Sequence, residues 1–246
     1  MELPVKNMQT APLVPYEDAL RITQSLVDDI ANATPMLRVL DAGCGTQNYL
    51  RFDRKVHVTG IDISAAQLDK NPELSERIVG DLQTYELPAT AYDVVVCWDV
   101  LEHLKDPRSA LIRIANAVAP GGILVVGSPN PSSLKGLVTR LTPYRFHVWV
   151  YRRFFNNDRG GNPFPTYMRP EGGVQCVTAV GAARGLSAEV LVYWESMMQI
   201  HLRHRLRVPD GAWNAAKALV RIVSAGRLDL VRTDFICVMR RDLDQQ

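Results

Sequence analysis

The stretch that decides the fold is Arg38-Val39-Leu40-Asp41-Ala42-Gly43-Cys44-Gly45-Thr46. Its apolar first half predicts a buried parallel strand that ends at Asp41. The two glycines around Cys44 allow the backbone to turn tightly and to approach a ligand where a Cβ would clash. A polar nucleoside suits such a turn, because free backbone N–H groups can face its charged groups.

A second strand supports this interpretation of the glycine turn. The run Val56-His57-Val58-Thr59-Gly60-Ile61 predicts a buried strand, and Asp62 follows at its end. Asp62 stands about twenty residues beyond Gly43, which is the spacing at which an acidic side chain can reach ribose hydroxyls. The sequence therefore predicts an α/β nucleoside-binding domain.

Several later segments extend this pattern and resemble the motifs of class I S-adenosylmethionine-dependent methyltransferases. They are Gly60-Ile61-Asp62-Ile63-Ser64, Gly80-Asp81-Leu82, the run from Tyr92 to Leu104, and the turn Ala119-Pro120-Gly121-Gly122 before an apolar strand at 123–126. Together with the first stretch they occupy roughly residues 36–128 in the family's order. The chain is most similar to the small-molecule branch that includes ubiquinone-biosynthesis O-methyltransferases. It departs from the family at Gln47, where a third glycine is usual.

The resemblance implies a Rossmann-like α/β fold: a seven-stranded, mostly parallel sheet with helices on both faces, an antiparallel last strand and inserted lid segments. It also implies S-adenosylmethionine as cofactor, with its ribose on Asp62 and its adenine between Asp81 and Leu82. Asp41, Gly43 and Gly45 would cradle the methionine part. The full set of expected cofactor-binding residues is Asp41, Ala42, Gly43, Cys44, Gly45, Asp62, Ile63, Gln67, Asp81, Leu82, Trp98, Asp99 and His103.

Length and charge suggest how the rest of the chain is arranged. The 246 residues, 47% of them apolar, suit one methyltransferase domain over 1–246 with insertions at 129–173 and 196–230. Residues 129–227 contain 14 Lys and Arg against 5 Asp and Glu, a net charge of +9 in a chain of net charge +2. These insertions could face an anionic substrate, a membrane surface or nucleic acid, or simply present a solvated basic face. No nucleic-acid partner is expected, because no known RNA-binding module is visible.

Several helices are expected around the sheet. Apolar periodicity predicts one over Tyr16–Ala33, and another is expected over Val174–Gly185. The helix over Asn48–Asp53 must be short, because few residues separate the glycine turn from the next strand. Two inserted helices are expected over Ser196–Arg207 and Ala212–Ala225. Ser64 and Gln67 resemble a capping box at the start of a further helix.

Cysteine spacing and the amino-terminal residues indicate the cellular compartment in which the protein is expected. The four cysteines are scattered without a Cys-x-x-Cys pair or a nearby histidine set, so neither a metal site nor a disulfide framework is expected. The first 15 residues lack the basic and apolar regions of a signal peptide, and no apolar run is long enough to span a bilayer. A cytoplasmic protein is therefore expected.

The acceptor and the catalytic base are the open questions. A hydroxyl acceptor usually needs a proton acceptor, for which the candidates are His103, His147, His201 and His204. Of these, His103 and His147 are the predicted catalytic residues. His103 follows strand four, and His147 lies in an aromatic, basic segment expected to form a lid over the cofactor. The Asn/Asp-Pro-Pro-Tyr signature that the family uses for planar nitrogens is absent, since Trp98-Asp99-Val100-Leu101 stands in its place.

The main hypothesis is therefore O-methylation of a small molecule such as a phenol, quinol, sugar or secondary metabolite. Two alternatives remain open. One is a lipid-linked acceptor at the membrane surface, with peripheral contact through the helices of 196–227. The other is a cofactor-binding interaction protein without catalysis. The same helices could instead pack on the domain or on the mate of a homodimer.

Overall fold

The centre of the fold is a seven-stranded sheet. The computed structural model describes residues 11–46, 48–52, 56–154 and 164–243. Strands β1 to β5 run parallel to one another, while β7 is antiparallel to both of its neighbours, β5 and β6. The order across the sheet is β3-β2-β1-β4-β5-β7-β6. The strands are β1 (Leu37–Ala42), β2 (Val56–Asp62), β3 (Glu76–Val79), β4 (Tyr92–Trp98), β5 (Val118–Pro129), β6 (Leu186–Trp194) and β7 (Asp234–Arg241).

Helices cover both faces of this sheet, which confirms the predicted Rossmann-like fold. On one face Leu111 and Val177 belong to a core cluster under α3 and α6, and on the other Val27 belongs to a cluster under α1. Burial of both faces explains why the central strands are almost continuously apolar. The helices are α1 (Tyr16–Ala33), α2 (Ala65–Leu68), α3 (Pro107–Ala117), α4 (Leu134–Leu141), α5 (Tyr144–Phe154), α6 (Val174–Ala182), α7 (Met197–Arg205) and α8 (Asp210–Val223).

The predicted short helix over Asn48–Asp53 is wrong. Residues 48–52 are not helical, and Asp53 and Gln47 lie outside the described residues. The chain instead bends so that Leu50 is buried in the α1-side core and the Tyr49 ring stacks on Trp98. The connection between the glycine turn and β2 is thus occupied by packed side chains and not by a helix.

Two smaller expectations also need correction. The Ser64 side chain makes no capping hydrogen bond at the start of α2. The backbone N–H of Ser64 instead donates to Asp62, 2.8 Å away. The predicted turn Ala119–Gly122 lies within β5, where the register with β4 shifts between Tyr92 and Val94 and Gly121 adopts a φ of +74°.

The sheet order places a crevice beside β1. The chain leaves β1 towards β2 on one side, whereas β4 pairs with the other side of β1. Ligands of open α/β sheets bind at such a switch point, beyond the carboxyl ends of the strands. The stretches after β1, β2, β3 and β4 all emerge at this edge.

Both insertions emerge at the same edge of the sheet. Helices α4 and α5 follow the end of β5, and α7 and α8 connect β6 to β7. The last residues of β5 and β6, Pro129 and Trp194, both pair with Asp234. The two insertions are joined where the Leu134 N–H donates to the Asp229 carbonyl at 2.8 Å. Among the described residues, no helix is long and apolar enough to cross a bilayer.

Candidate functional site

A cavity of about 470 Å³ lies at the carboxyl edge beside β1, β2 and β4. This volume is within the range of about 300–1,000 Å³ that is usual for small-molecule sites. Its lining comes from the stretches after four strands and from the segment 164–167. The lining residues are Gly43, Cys44, Gly45, Thr46, Tyr49, Asp62, Ile63, Gln67, Gly80, Asp81, Leu82, Gln83, Trp98, Asp99, Val100, His103, Leu104, Phe164, Pro165 and Tyr167.

The glycine turn forms one wall of this cavity. Gly43 and Gly45 have φ values of +80° and +55°, in the left-handed region that favours glycine. A Cβ on Gly43 would overlap the Val100 side chain, and one on Gly45 would lie 3.2 Å from Gln67 Oε1. The Gly43 N–H donates to the Ile61 carbonyl at 2.7 Å, which ties the turn to the end of β2.

Asp62 is held in place by two backbone groups. Its Oδ1 accepts from the Ser64 N–H at 2.8 Å, and its Oδ2 accepts from the Gly45 N–H at 3.1 Å. Each carboxylate oxygen has capacity for a further hydrogen bond, so Asp62 can accept from ribose hydroxyls. The neighbouring Ile63 lines the cavity, and 66% of its surface is exposed. A planar base could pack against this apolar side chain.

Asp81 is fixed by Gln83, a lining residue that the sequence analysis missed. The Gln83 Nε2 group donates to both carboxylate oxygens of Asp81, at 2.9 and 3.0 Å. Its Oε1 accepts from the N–H groups of Lys105 and Asp106 at 3.0 and 2.8 Å. Gln83 thereby connects the stretch after β3 to the stretch after β4. The available signal was its position two residues after Asp81, where a side chain and a backbone N–H can both turn back to the carboxylate.

Tyr49 is a second lining residue that the sequence analysis missed, because a helix was predicted there. Its ring stacks on Trp98 with centroids 5.1 Å apart and planes 13° apart. Its hydroxyl donates to Asp99 Oδ2 at 3.0 Å. Burial raises the pKa of the Asp99 carboxyl to about 6, although this hydrogen bond opposes the shift. Burial and the nearby Asp99 charge raise the pKa of Tyr49, so the phenol stays protonated.

Two of the predicted cofactor-binding residues lie behind the cavity wall. Asp41 and Ala42 are buried in β1 and are not among the described residues that line the cavity. Burial, followed by the charges of Glu73 and Asp62, raises the pKa of Asp41 to about 7. A direct role of these two side chains in cofactor binding stays a prediction.

His103 lies at the end of the cavity nearest the first insertion. Its Nδ1 is 2.9 Å from the Pro165 carbonyl oxygen, and its ring meets Phe164 edge-on at 6.0 Å. The Tyr167 and Met168 N–H groups donate to the Glu102 carbonyl at 2.8 and 3.1 Å, which fixes the same segment beside the histidine. Burial lowers the pKa of His103 below its ordinary value of 6.5.

The Glu102 side chain is buried behind His103. Its Oε1 lies 3.7 Å from His103 Nε2, and its Oε2 accepts from the Ser128 hydroxyl at 3.4 Å. Burial, with the charge of Asp99 second, raises the pKa of Glu102 well above its ordinary value.

His147 does not line this cavity. It belongs to α5, its Nε2 is 2.6 Å from the Thr142 hydroxyl oxygen, and it is not among the described residues around the cavity. Phe146 and Trp149 of the same helix stack on each other at 5.8 Å. Of the aromatic segment, Phe155 lies outside the described residues. The described residues of 129–173 that reach the cavity are Phe164, Pro165 and Tyr167.

The cysteines contribute no reactive thiol to the cavity. All four are free, and burial raises the pKa of Cys44 to about 12. In the described ranges, no three His, Cys, Asp or Glu side chains converge as a group that could hold a metal ion.

The arrangement defines a class of protein. A doubly wound sheet with a glycine turn after β1 and carboxylates after β2 and β3 is a nucleoside-binding α/β domain. The residues present also fit an adenosyl cofactor. The turn leaves room where a Cβ would intrude, Asp62 can accept from ribose hydroxyls, and Ile63 and Leu82 offer apolar surface.

The chain belongs to the class I S-adenosylmethionine-dependent methyltransferases. The family model described as a methyltransferase domain matches residues 16–205, which is more than half of the chain. An uncharacterised methyltransferase of Mycobacterium bovis is 34% identical over 113 residues, 43% of this chain and 57% of the relative. A ubiquinone biosynthesis O-methyltransferase of Aeromonas salmonicida is 35% identical over 106 residues, 38% of this chain and 43% of the relative.

A solved structure agrees with the fold. Phosphoethanolamine N-methyltransferase 2 of Haemonchus contortus, in complex with S-adenosyl-L-methionine, superposes with a TM-score of 0.53 at 15% identity. The match covers 94% of this chain and 54% of that one. The chain spans about half the length of the curated relatives it matches.

Proposed function

We propose that this protein transfers a methyl group from S-adenosylmethionine to a hydroxyl oxygen of a small molecule, with His103 as the general base. The observation that carries the proposal is the hydrogen bond between His103 and Pro165 at the cavity. The similarity to a ubiquinone biosynthesis O-methyltransferase supports oxygen as the methylated atom.

The hydrogen bond determines which histidine nitrogen is basic. A carbonyl oxygen can only accept, so Nδ1 must carry the hydrogen and donate it to Pro165. In the neutral ring, Nε2 then holds the free electron pair. Because burial lowers the pKa of His103, the ring is neutral at pH 7 and Nε2 can take a proton.

S-adenosylmethionine supplies a methyl group that is already activated on a positively charged sulfur. The protein's own task is therefore to bind, to orient and to accept a proton. Gly43, Gly45 and Asp62 would hold the cofactor, with Asp81 and Leu82 beside its base. Nε2 of His103 would take the proton of the acceptor hydroxyl, which is a poor nucleophile while protonated.

The lining of the cavity also helps to distinguish an enzyme from a protein that binds the cofactor without catalysis. Such a protein would be expected to fill its acceptor space with its own side chains. The cavity instead extends beyond the residues expected to hold the cofactor, to His103, Phe164 and Tyr167. This extension favours an enzyme that takes a small acceptor.

The test compares two histidine variants. Release of S-adenosylhomocysteine is measured with a panel of phenols, quinols, sugars and amines. His103→Ala is expected to lower the rate about 10²- to 10⁴-fold, the usual contribution of a general base. His147→Ala is the matched control and should retain the parent rate. Loss of activity in His147→Ala alone would move the base to α5, and methylation of amines only would contradict the oxygen acceptor.

The pH profile adds a second readout. A base must be unprotonated to act, so the rate should be flat at neutral pH and fall as the pH drops through the pKa of His103. Since burial lowers that pKa, the acid limb should lie below pH 6.5. A limb above pH 6.5, or one that persists in His103→Ala, would assign the proton transfer to another group.

A further inference from the structure

The helices α7 and α8 carry apolar residues that the rest of the described chain leaves uncovered. Leu219, Ile222 and Val223 of α8 are 61%, 76% and 78% exposed. Their spacing of three and four residues puts them on one face of the helix. Leu206, in the connection between the two helices, is also exposed. An uncovered apolar stripe of this kind marks an interaction surface.

Basic residues accompany this stripe. Residues 196–230 contain six Lys and Arg against two Asp and Glu, a net charge of +4. Of the two acids, Asp229 accepts through Oδ1 from the Val231 and Arg232 N–H groups, so its charge is engaged within the chain. Arg207, Arg221 and Arg227 are exposed on the surface.

A basic cavity lies next to α8. It has a volume of about 650 Å³ and is lined by Lys217, Arg221 and Arg232, with Asp229 as an acidic member of the lining. Lys217 and Arg221 are four residues apart on the helix, so their side chains project to the same side, away from the face that carries Leu219, Ile222 and Val223. The cavity therefore adds to the positive charge of the helix pair without lying on the apolar face.

The two helices are held together as a unit. The Arg203 guanidinium lies over the Trp213 ring, 5.2 Å from its centroid, and connects α7 to α8. Gln199 donates to the Leu230 carbonyl at 2.8 Å, which attaches α7 to the segment after α8. The apolar and basic residues are therefore presented by a formed helix pair.

We propose that the α7–α8 pair docks this protein on an anionic phospholipid surface. Exposed leucine, isoleucine and valine on an amphipathic helix insert at the boundary of headgroups and acyl chains, and nearby cations are attracted to anionic lipids. A second copy of this chain is the less favourable occupant, because its own helix pair would bring a charge of +4 against +4.

Docking in this way would bring one edge of the sheet to the membrane. α7 begins just after the carboxyl end of β6, and the cavity beside β1 opens at the same edge. A lipid-linked acceptor would suit this arrangement. The docking itself rests on the helix pair alone and requires no methyl transfer.

The experiment is co-sedimentation of the full chain with vesicles, without any acceptor. Vesicles of phosphatidylcholine are compared with vesicles of phosphatidylcholine and phosphatidylglycerol in equal parts. Binding is expected to the anionic vesicles only, and it should weaken as salt screens the charges. Equal binding to both vesicle types, or none to the anionic ones, would overturn the proposal.

Matched variants locate the surface. Ile222→Glu is expected to weaken vesicle binding at least about tenfold, since it replaces an apolar contact with a repelled charge. Met36→Glu, which alters an exposed apolar residue just before β1, should bind like the parent. Arg207→Gln, next to the exposed Leu206, should weaken binding about fivefold, as expected for one basic residue near an anionic surface, while Lys70→Gln at the β3 side of the sheet should not.

The variant outcomes can also refute the proposal. Ile222→Glu alters a residue at the surface, so circular dichroism should show an unchanged fold. If this variant binds anionic vesicles as the parent does, the surface lies elsewhere. If sedimentation shows a parent dimer that Ile222→Glu dissociates without any loss of vesicle binding, the occupant is a second copy of the chain.

Discussion

The cavity has two sides that are held together in different ways. On the side expected to hold the cofactor, Asp81 is fixed by Gln83, and Asp62 is fixed by Ser64 and by Gly45, which stands 17 residues earlier in the chain. On the acceptor side, His103 is fixed by Pro165, 62 residues away. The side expected to hold the cofactor thus depends on contacts of shorter range than the proposed acceptor side, where segments 62 residues apart meet. This difference explains how a family can keep one cofactor while its acceptors vary.

The largest expected effect is a loss of cofactor affinity when the glycine turn after β1 is altered. Gly43→Val should weaken S-adenosylmethionine binding about a hundredfold or more. The φ of Gly43 is +80°, and the new side chain would overlap Val100. The affinity is measured by calorimetry. Gly211→Val is the matched control, since a Cβ at Gly211 meets nothing within 4 Å. Retained affinity in a folded Gly43→Val protein would mean that the turn does not approach the cofactor.

The next effect concerns the carboxylate after β2. Asp62→Ala should weaken cofactor binding roughly tenfold or more, since losing a charged acceptor of a hydrogen bond typically costs about 1.5–3 kcal/mol. Asp69→Ala, an exposed acid at the end of α2, should bind the cofactor as the parent does. Calorimetry that finds equal affinities in the two variants would remove Asp62 from the site.

A smaller effect on the acceptor side would sharpen the comparison. Phe164→Ala removes the edge-on contact with His103 and should lower kcat/KM for the acceptor roughly two- to tenfold. The affinity for S-adenosylmethionine should stay unchanged, because this segment belongs to the acceptor side. Phe146→Ala, an exposed aromatic of α5, is the control. If Phe164→Ala weakens cofactor binding as much as turnover, the division into two sides breaks down.

The smallest effect is expected at Cys44. Its thiol lines the cavity between the two glycines but stays protonated, because burial raises its pKa to about 12. Cys44→Ala should keep cofactor affinity and turnover within about threefold, with a loss of roughly 1 kcal/mol in the free energy of unfolding. Urea titration and the turnover assay measure both. Lost turnover with intact cofactor binding would show that the thiol takes part in the reaction.

The sequence by itself determined the sheet and most of the cofactor side. The glycine turn and Asp62 were predicted because buried parallel strands are apolar throughout and end in polar residues at one edge, and this pattern is local. Asp81 was predicted from the resemblance to the methyltransferase motifs. The helix Tyr16–Ala33 followed from its apolar periodicity in the same way, and the helix predicted over Val174–Gly185 ends in the structure at Ala182.

Only the tertiary structure decided the rest. Tyr49 was missed because the connection after the glycine turn was expected to be a short helix, whereas its ring packs on Trp98. The sequence favoured neither His103, after strand four, nor His147, in the aromatic segment. The bond to Pro165 and the position beside the cavity support His103 as the proposed base. Contacts across sixty residues depend on how the whole chain packs, and no spacing within a motif records them.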